Sequence, residues 1–318
     1  MKFVSRCVLV WLLALTGYAE SATEAQCQTV RIGVVDWTDL HVVNGIAKSL
    51  LEQLGYRVEL SNQPATPEVF SQMQQRNIDV FMGYWTPAMV EVAAPFYGPQ
   101  DVSTLTANLD EALWTLAVPD YVYEQGVHDF ADIARFSDKF EGRIYGLEKG
   151  SSGNAAILEM ISSNAFGLKD FKLIETSERL MLAQVNGRVR KGEWIVFMGW
   201  KPHPMNQQFA IRYLDGGDQY FGPDYGKATV NTSIRKGLEQ ECPNLAHFFS
   251  NLTFKAAIEE EIMQKTSNEF VPVDRAVRMW MHRNPAQVSA WLSGVKTLTG
   301  QPVDPQMMAD DMEVTFGR

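Results

Sequence analysis

An α/β protein of two similar lobes, each a mostly parallel sheet flanked by helices, is the fold class this sequence predicts, and three observations predict it. One motif occurs twice. Asp79 to Met89 and Trp194 to Met205 each run from an apolar, β-branched and aromatic stretch into a glycine, with a Trp-x-Pro at or just beyond it. The echo extends upstream, where Arg31-Ile32-Gly33-Val34-Val35-Asp36-Trp37 answers to Arg143-Ile144-Tyr145-Gly146-Leu147, at nearly the offset that separates Gly83 from Gly199. A repeat of that length is too large for a solenoid unit and suits a pair of lobes. Finally, 318 residues, 46% hydrophobic and 21% charged, can bury a substantial core and divide more readily into two lobes than one.

The first residues read as a leader. Lys2 and Arg6 precede an apolar run from Cys7 to Leu15, and Gly17, Ala19 and Ala22 follow, the layout of a cleavable secretory signal over residues 1–22. A membrane anchor needs about twenty continuous apolar residues, and the run is shorter. Cys27 is a poor lipidation site, because the polar Glu24 and Gln26 lie just before it. The mature chain is therefore expected to be soluble, exported and periplasmic.

Strand, helix, strand, helix and strand follow in order. Arg31 to Trp37 reads as a strand, Val42 to Leu54 as an amphipathic helix, Tyr56 to Leu60 as a strand, Glu68 to Arg76 as a helix, and Asp79 to Trp85 as the first tryptophan strand. Ala94 to Asp110 looks looser, with Pro95, Gly98 and Pro99. Ala112 to Val118 is then a strand stopped by Pro119 that crosses into the second lobe. There Phe130 to Phe136 is a short helix, Arg143 to Leu147 a strand, Ser152 to Asn164 a helix and Phe171 to Ile174 a strand, before the second tryptophan strand. Phe209 to Leu214 is a further apolar run, and Ala228 to Ile234 is a return strand. From Pro243 onward the spacing is helical, nothing suggests chemistry, and the segment is expected to pack back on lobe 1. The expected division is 28–110 with 226–318 for lobe 1 and 111–225 for lobe 2.

Charge and cysteines narrow the function. The formal net charge is −10, and loss of residues 1–22 removes two cations and one anion. Such a surface disfavours nucleic acid and anionic membranes and fits a freely diffusing monomer. With Cys7 gone, Cys27 and Cys242 remain, and in an oxidising compartment the pair is most simply a disulfide. Closing so long a loop contributes at most about 5 kcal/mol in the chain-entropy model.

The candidate chemistry lies in tryptophan. Trp194, Trp280 and Trp291 are read as core. Trp37, Trp85, Trp114 and Trp200 each lie in or at the end of an expected strand near a break, and Trp85 and Trp200 hold matching places in the repeat. In open parallel sheets ligands bind beyond the carboxyl ends of strands. A box of indole faces suits a quaternary ammonium, which cannot donate hydrogen bonds and gains about 0.5 to 2 kcal/mol from each face. Asp36 and Asp39 flank Trp37, and either can add a carboxylate, although Asp39 is equally placed to cap the following helix. Lys149 to Asn154 joins a strand to a helix, where Ser151 is either a seat for a polar group or an ordinary cap. His203, between Pro202 and Pro204, suits a ligand contact or a rigid turn. His41, His128, His247 and His282 are scattered without metal-ligand spacing, and no cofactor or metal is called for. A choline-ester hydrolase built from Ser151 or Ser152 with His203 is the alternative, but the Gly-x-Ser-x-Gly elbow is missing.

Trp37-Thr38-Asp39, Phe81-Met82-Gly83-Tyr84-Trp85, Trp114 to Pro119 and Gly199 to Asn206 together resemble the periplasmic binding proteins of ABC importers for choline, glycine betaine and carnitine. The likeness covers nearly all of the mature chain. It implies a two-lobed clamshell joined by two crossing strands, a binding protein rather than an enzyme, and the membrane subunits of an ABC importer as partner. It also implies that Trp37, Trp85 and Trp200 hold a trimethylammonium group, with Asp39 as the accompanying acid. Trp114 stands where the choline-specific members are expected to have tyrosine, and Ser151 where they are expected to have asparagine. The polar tail of the ligand thus remains open among the three.

Overall fold

The structure, a computed structural model, describes residues 26–98 and 101–308; the leader expected over residues 1–22 lies outside them. Its first half alternates as expected: β1 (Thr29–Val34), α1 (Thr38–Gln53), β2 (Arg57–Asn62), α2 (Thr66–Gln74) and β3 (Val80–Thr86). β1 pairs in parallel with both β2 and β3. The apolar positions of α1, among them Leu40, Val43, Ile46, Leu50 and Leu51, are buried, which is what their helical spacing demands.

Strand β4 (Ser103–Pro119) corrects the sequence reading, which left Ala94 to Asp110 as a looser segment. Ser103 to Asp110 continues the strand because it pairs antiparallel with β9 (Lys227–Ile234), with irregularities at three places in the ladder. Its threonines favour extended backbone, and Leu105, Ala107 and Leu109 alternate with polar residues, a strand signal that the sequence reading passed over beside Pro95, Gly98 and Pro99. From Leu113 to Ala117 the same strand pairs with β7 (Phe197–Lys201). β5 (Arg143–Tyr145) pairs in parallel with β6 (Lys172–Ile174) and with β7, and β8 (Ile211–Tyr213) pairs with β4.

The strand order β2-β1-β3-β9-β4-β7-β5-β6 makes two parallel halves joined through the antiparallel β9 and β4. These are the two lobes and the two crossing strands. Lobe 2 is flanked by α3 (Ser152–Ser162) and by α4 (Glu178–Lys191), a helix the sequence reading missed. Its Ser177 cap, which accepts from Leu180 N–H, and its run of helix-forming residues were the available signals.

The C-terminal segment is helical, with α5 (Pro243–Asn251), α6 (Ala256–Asn268) and α7 (Val273–Arg283). α6 and α7 pack on α1 of lobe 1. Gly45 makes that approach possible, because a Cβ there would stand 3.1 Å from Val273 and 3.3 Å from Val277. Cys27 and Cys242 are joined in a disulfide, tying the first strand to the start of this segment. Beside it Asp79, buried at the head of β3, is hydrogen-bonded by Arg31 and Arg235, so one carboxylate links β1, β3 and the end of β9.

Candidate functional site

Trp37 follows β1, Trp85 ends β3 and Trp200 ends β7, so all three stand at the carboxyl ends of strands. Trp114 belongs to the crossing strand and faces Trp200 directly in the β4–β7 ladder, which puts both indoles on one side of the sheet. Ring centroids are 5.9 Å apart for Trp85 and Trp114 and 6.2 Å for Trp114 and Trp200. Gly153, in the first turn of α3, lets Trp114 lie against that helix, since a Cβ would meet its Cζ2 at 2.6 Å. Together Trp37, Asp39, Trp85, Trp114, Leu147 and Trp200 line one small cavity.

The turns that present these groups are pinned. Asn154 on α3 receives Leu147 N–H at 2.9 Å and donates to the carbonyls of Leu147 and Glu148 at 2.8 and 3.1 Å. Asn206 donates to the carbonyls of Trp200 and His203 and accepts from Tyr213 Oη at 2.6 Å.

Carboxylates give the site its sign. Asp39 is buried, and its Oδ1 has no hydrogen-bond partner. Burial, reinforced by the nearby charge of Glu178, pushes its carboxyl up to about 6. Glu148 accepts from Trp37 Nε1 at 3.3 Å, and burial raises its carboxyl as well. Glu259 of α6 is buried, and desolvation with the charge of Asp39 raises it well above the usual range. A segment expected to be without chemistry thus places an acid beside the site. Asp36, the other candidate beside Trp37, faces solvent and pairs with His41.

Two residues singled out from the sequence stand elsewhere. Ser151 caps α3, its hydroxyl accepting from Asn154 N–H at 3.3 Å, and it is not among the residues that enclose the cavity. His203 stands behind Trp200, with ring centroids 4.9 Å apart. Its Nδ1 accepts from Met205 N–H at 3.0 Å, so the proton is on Nε2, which donates to Glu178 at 3.2 Å. With both nitrogens engaged by protein, His203 has none to serve as a base toward serine, and the choline-ester hydrolase alternative is not supported. Trp194 packs between Phe136 and Phe140, and Trp280 lies beside Trp291, all as core. Sequence reasoning missed Glu178, Glu148 and Leu147, whose roles arise from contacts between lobes or between turns.

Several contacts cross from lobe to lobe. Besides Trp37 with Glu148, both the backbone N–H and the hydroxyl of Thr38 bond to Glu178. Gln207 and Gln208 of lobe 2 meet Gln264 and Asn268 of α6. The lobes are closed on one another.

Comparison with known proteins agrees with this architecture. Residues 28–283 match the family model described as the substrate-binding domain of an ABC-type glycine betaine transport system. An ABC-transporter choline-binding protein solved with choline is 40% identical, covers 92% of this chain and 99% of its own, and superposes with a TM-score of 0.87. An ABC-transporter choline-binding protein in an unliganded semi-closed conformation, also 40% identical and covering 92% of this chain and all of its own, gives 0.82. A glycine betaine/carnitine transport binding protein of Listeria monocytogenes is 25% identical over 171 residues, 54% of this chain and 56% of its own length.

Proposed function

We propose, since this chain belongs to the family of substrate-binding domains of ABC-type glycine betaine transport systems, that its four indoles enclose the trimethylammonium head of choline or a close relative. The observation that carries this reading is Asp39. A buried carboxylate oxygen without a hydrogen-bond partner, at the wall of an aromatic cavity, is costly unless a charge arrives to meet it. A quaternary ammonium supplies charge without needing an acceptor and gains from the π faces as well.

The ligand's tail is assigned by the same electrostatics. No cationic side chain is among the residues enclosing the cavity, whereas Glu148 and Glu178 add negative charge around it. A monocation with an uncharged tail is favoured over a zwitterion, whose carboxylate would face this field. The choline-bound relative superposes better than the unliganded, semi-closed one, which supports a closed arrangement here.

The chain acts as a carrier and not as an enzyme, capturing the ligand outside the cytoplasmic membrane as a monomer and passing it to the membrane subunits of an importer. Among the described residues no helix is long and apolar enough to cross a membrane. Over the described residues the lobes divide as 28–110 with 226–308 and 111–225, a division supported by β4 changing partner at Leu113 and β9 beginning at Lys227. Titration with choline, acetylcholine, glycine betaine and carnitine, followed by tryptophan fluorescence, is the test. Choline should bind more tightly than either carboxylate-bearing ligand; no response to any of the four would end the reading.

A further inference from the structure

We propose that Glu178 is a latch between the lobes, whose carboxylate completes the N-terminus of α1 only on closure and so positions Trp37 and Asp39 against a bound cation. This rests on the ligand reading above. A helix begins with amides that have no partner within it. The residue preceding α1 is Trp37, which provides no side-chain cap. The cap comes instead from the other lobe: Glu178 Oε2 accepts from Thr38 N–H at 3.0 Å, and Oε1 accepts from the Thr38 hydroxyl and from His203 Nε2.

Three features make this more than an ordinary surface contact. Glu178 is only 4% exposed and both of its oxygens are engaged, so its hydrogen bonds are charge-assisted and shielded from water. Thr38 lies between Trp37 and Asp39 and belongs to the same turn, so holding its backbone holds both cavity residues. His203 ties the same carboxylate to the lobe 2 indole Trp200. When the lobes part, Thr38 and Glu178 exchange these bonds for water, and the interaction disappears. It therefore stabilises the closed state alone, and a term of that kind slows release without altering capture.

Stopped-flow tryptophan fluorescence with choline tests the latch on the full chain and on Glu178→Ala, Thr38→Val and the double variant. Loss of charge-assisted hydrogen bonds predicts release about tenfold to a hundredfold faster for Glu178→Ala. Thr38→Val should shift release in the same direction, and the double variant should be no worse than Glu178→Ala, because the two residues share one interaction. Glu178→Gln keeps an oxygen for Thr38 N–H and should recover part of the loss. Unchanged release in Glu178→Ala, additive effects, or a glutamine variant as fast as the alanine one would overturn the latch. If Glu178→Ala does not fold, Thr38→Val, which leaves the Glu178 and His203 contact in place, decides by its release rate alone. The two readings fail differently: a wild-type protein that binds no quaternary amine defeats the ligand reading, whereas normal binding with wild-type kinetics in the variants defeats only the latch.

Discussion

Trp114 and Trp200 are cross-strand partners, their ring centroids 6.2 Å apart and their planes inclined by 43°. Because β4 also pairs with β9 toward lobe 1, Trp114 stands between Trp200 on one side and Trp85 on the other. The aromatic wall is continuous across the lobe boundary.

That continuity predicts a graded response to substitution. Trp114→Phe keeps a π face and should retain most of the choline affinity, whereas Trp114→Ala or Trp200→Ala should weaken it by about threefold to thirtyfold, the equivalent of one cation–π contact. Calorimetric titration beside ligand-free melting curves separates lost binding from lost packing. Full affinity in both alanine variants would remove these indoles from the site.

Affinity should depend on pH through Asp39. In the closed site burial and Glu178 favour its protonated form, with the carboxyl pushed up to about 6, while a cation favours the ionised form. Binding therefore expels a proton below that value. The dissociation constant for choline should rise as pH falls through about 6, approaching tenfold per pH unit once Asp39 is protonated, and should be flat above it. Asp39→Asn should bind more weakly at pH 8 and lose this dependence. A pH-dependent Asp39→Asn variant would assign the titration to another group.

Stability rests on a different carboxylate. Burial works against the charge of Asp79, but the hydrogen bonds from Arg31 and Arg235 outweigh it and hold the carboxyl below its usual range. Since the fold depresses it, its stabilisation is present above the unfolded carboxylate pKa and is lost as pH falls through the folded one. Asp79→Ala takes one of two carboxylate partners from Arg235, 8% exposed at its side chain, and leaves it Glu241, so it should cost about 2 to 3 kcal/mol. Urea unfolding measures this directly, and a loss below about 1 kcal/mol, the scale of an exposed pair, would show that the network is not desolvated.

Closure should be visible in solution. Trp37, Asp39 and Trp85 come from lobe 1 and Trp200 from lobe 2, so a ligand that touches both favours the closed arrangement by its differential affinity. Small-angle scattering should give a smaller radius of gyration with saturating choline than without ligand, and no such change with a primary amine of similar size. An unchanged radius at saturation would mean that the lobes do not move.

Much of this was legible in the residues themselves. The duplicated Trp-x-Pro strands, the amphipathic spacing of α1 and the helical tail are local patterns, set by periodicity and propensity within a few neighbouring residues. The extra length of β4 was legible as well, in the alternation of Leu105, Ala107 and Leu109 with polar residues, but the prolines and glycine just upstream turned the reading toward a loop, and the ladder with β9 decided it. α4 was legible and was passed over, although Ser177 announced it.

By itself the sequence determined two lobes, a set of tryptophans at strand ends, a pair of cysteines that are joined, and an acid on either side of Trp37. Only the tertiary structure decided which of these groups meet. Asp39 turns inward on the first turn of α1 while Asp36 stays in solvent with His41. Ser151 spends its hydroxyl on a helix cap, and Glu178 reaches Thr38 across a sequence separation of 140 residues. The reason is physical: periodicity reports which side of an element faces the core, but a contact between lobes depends on how two separately folded sheets are set against each other, and no local pattern carries that information.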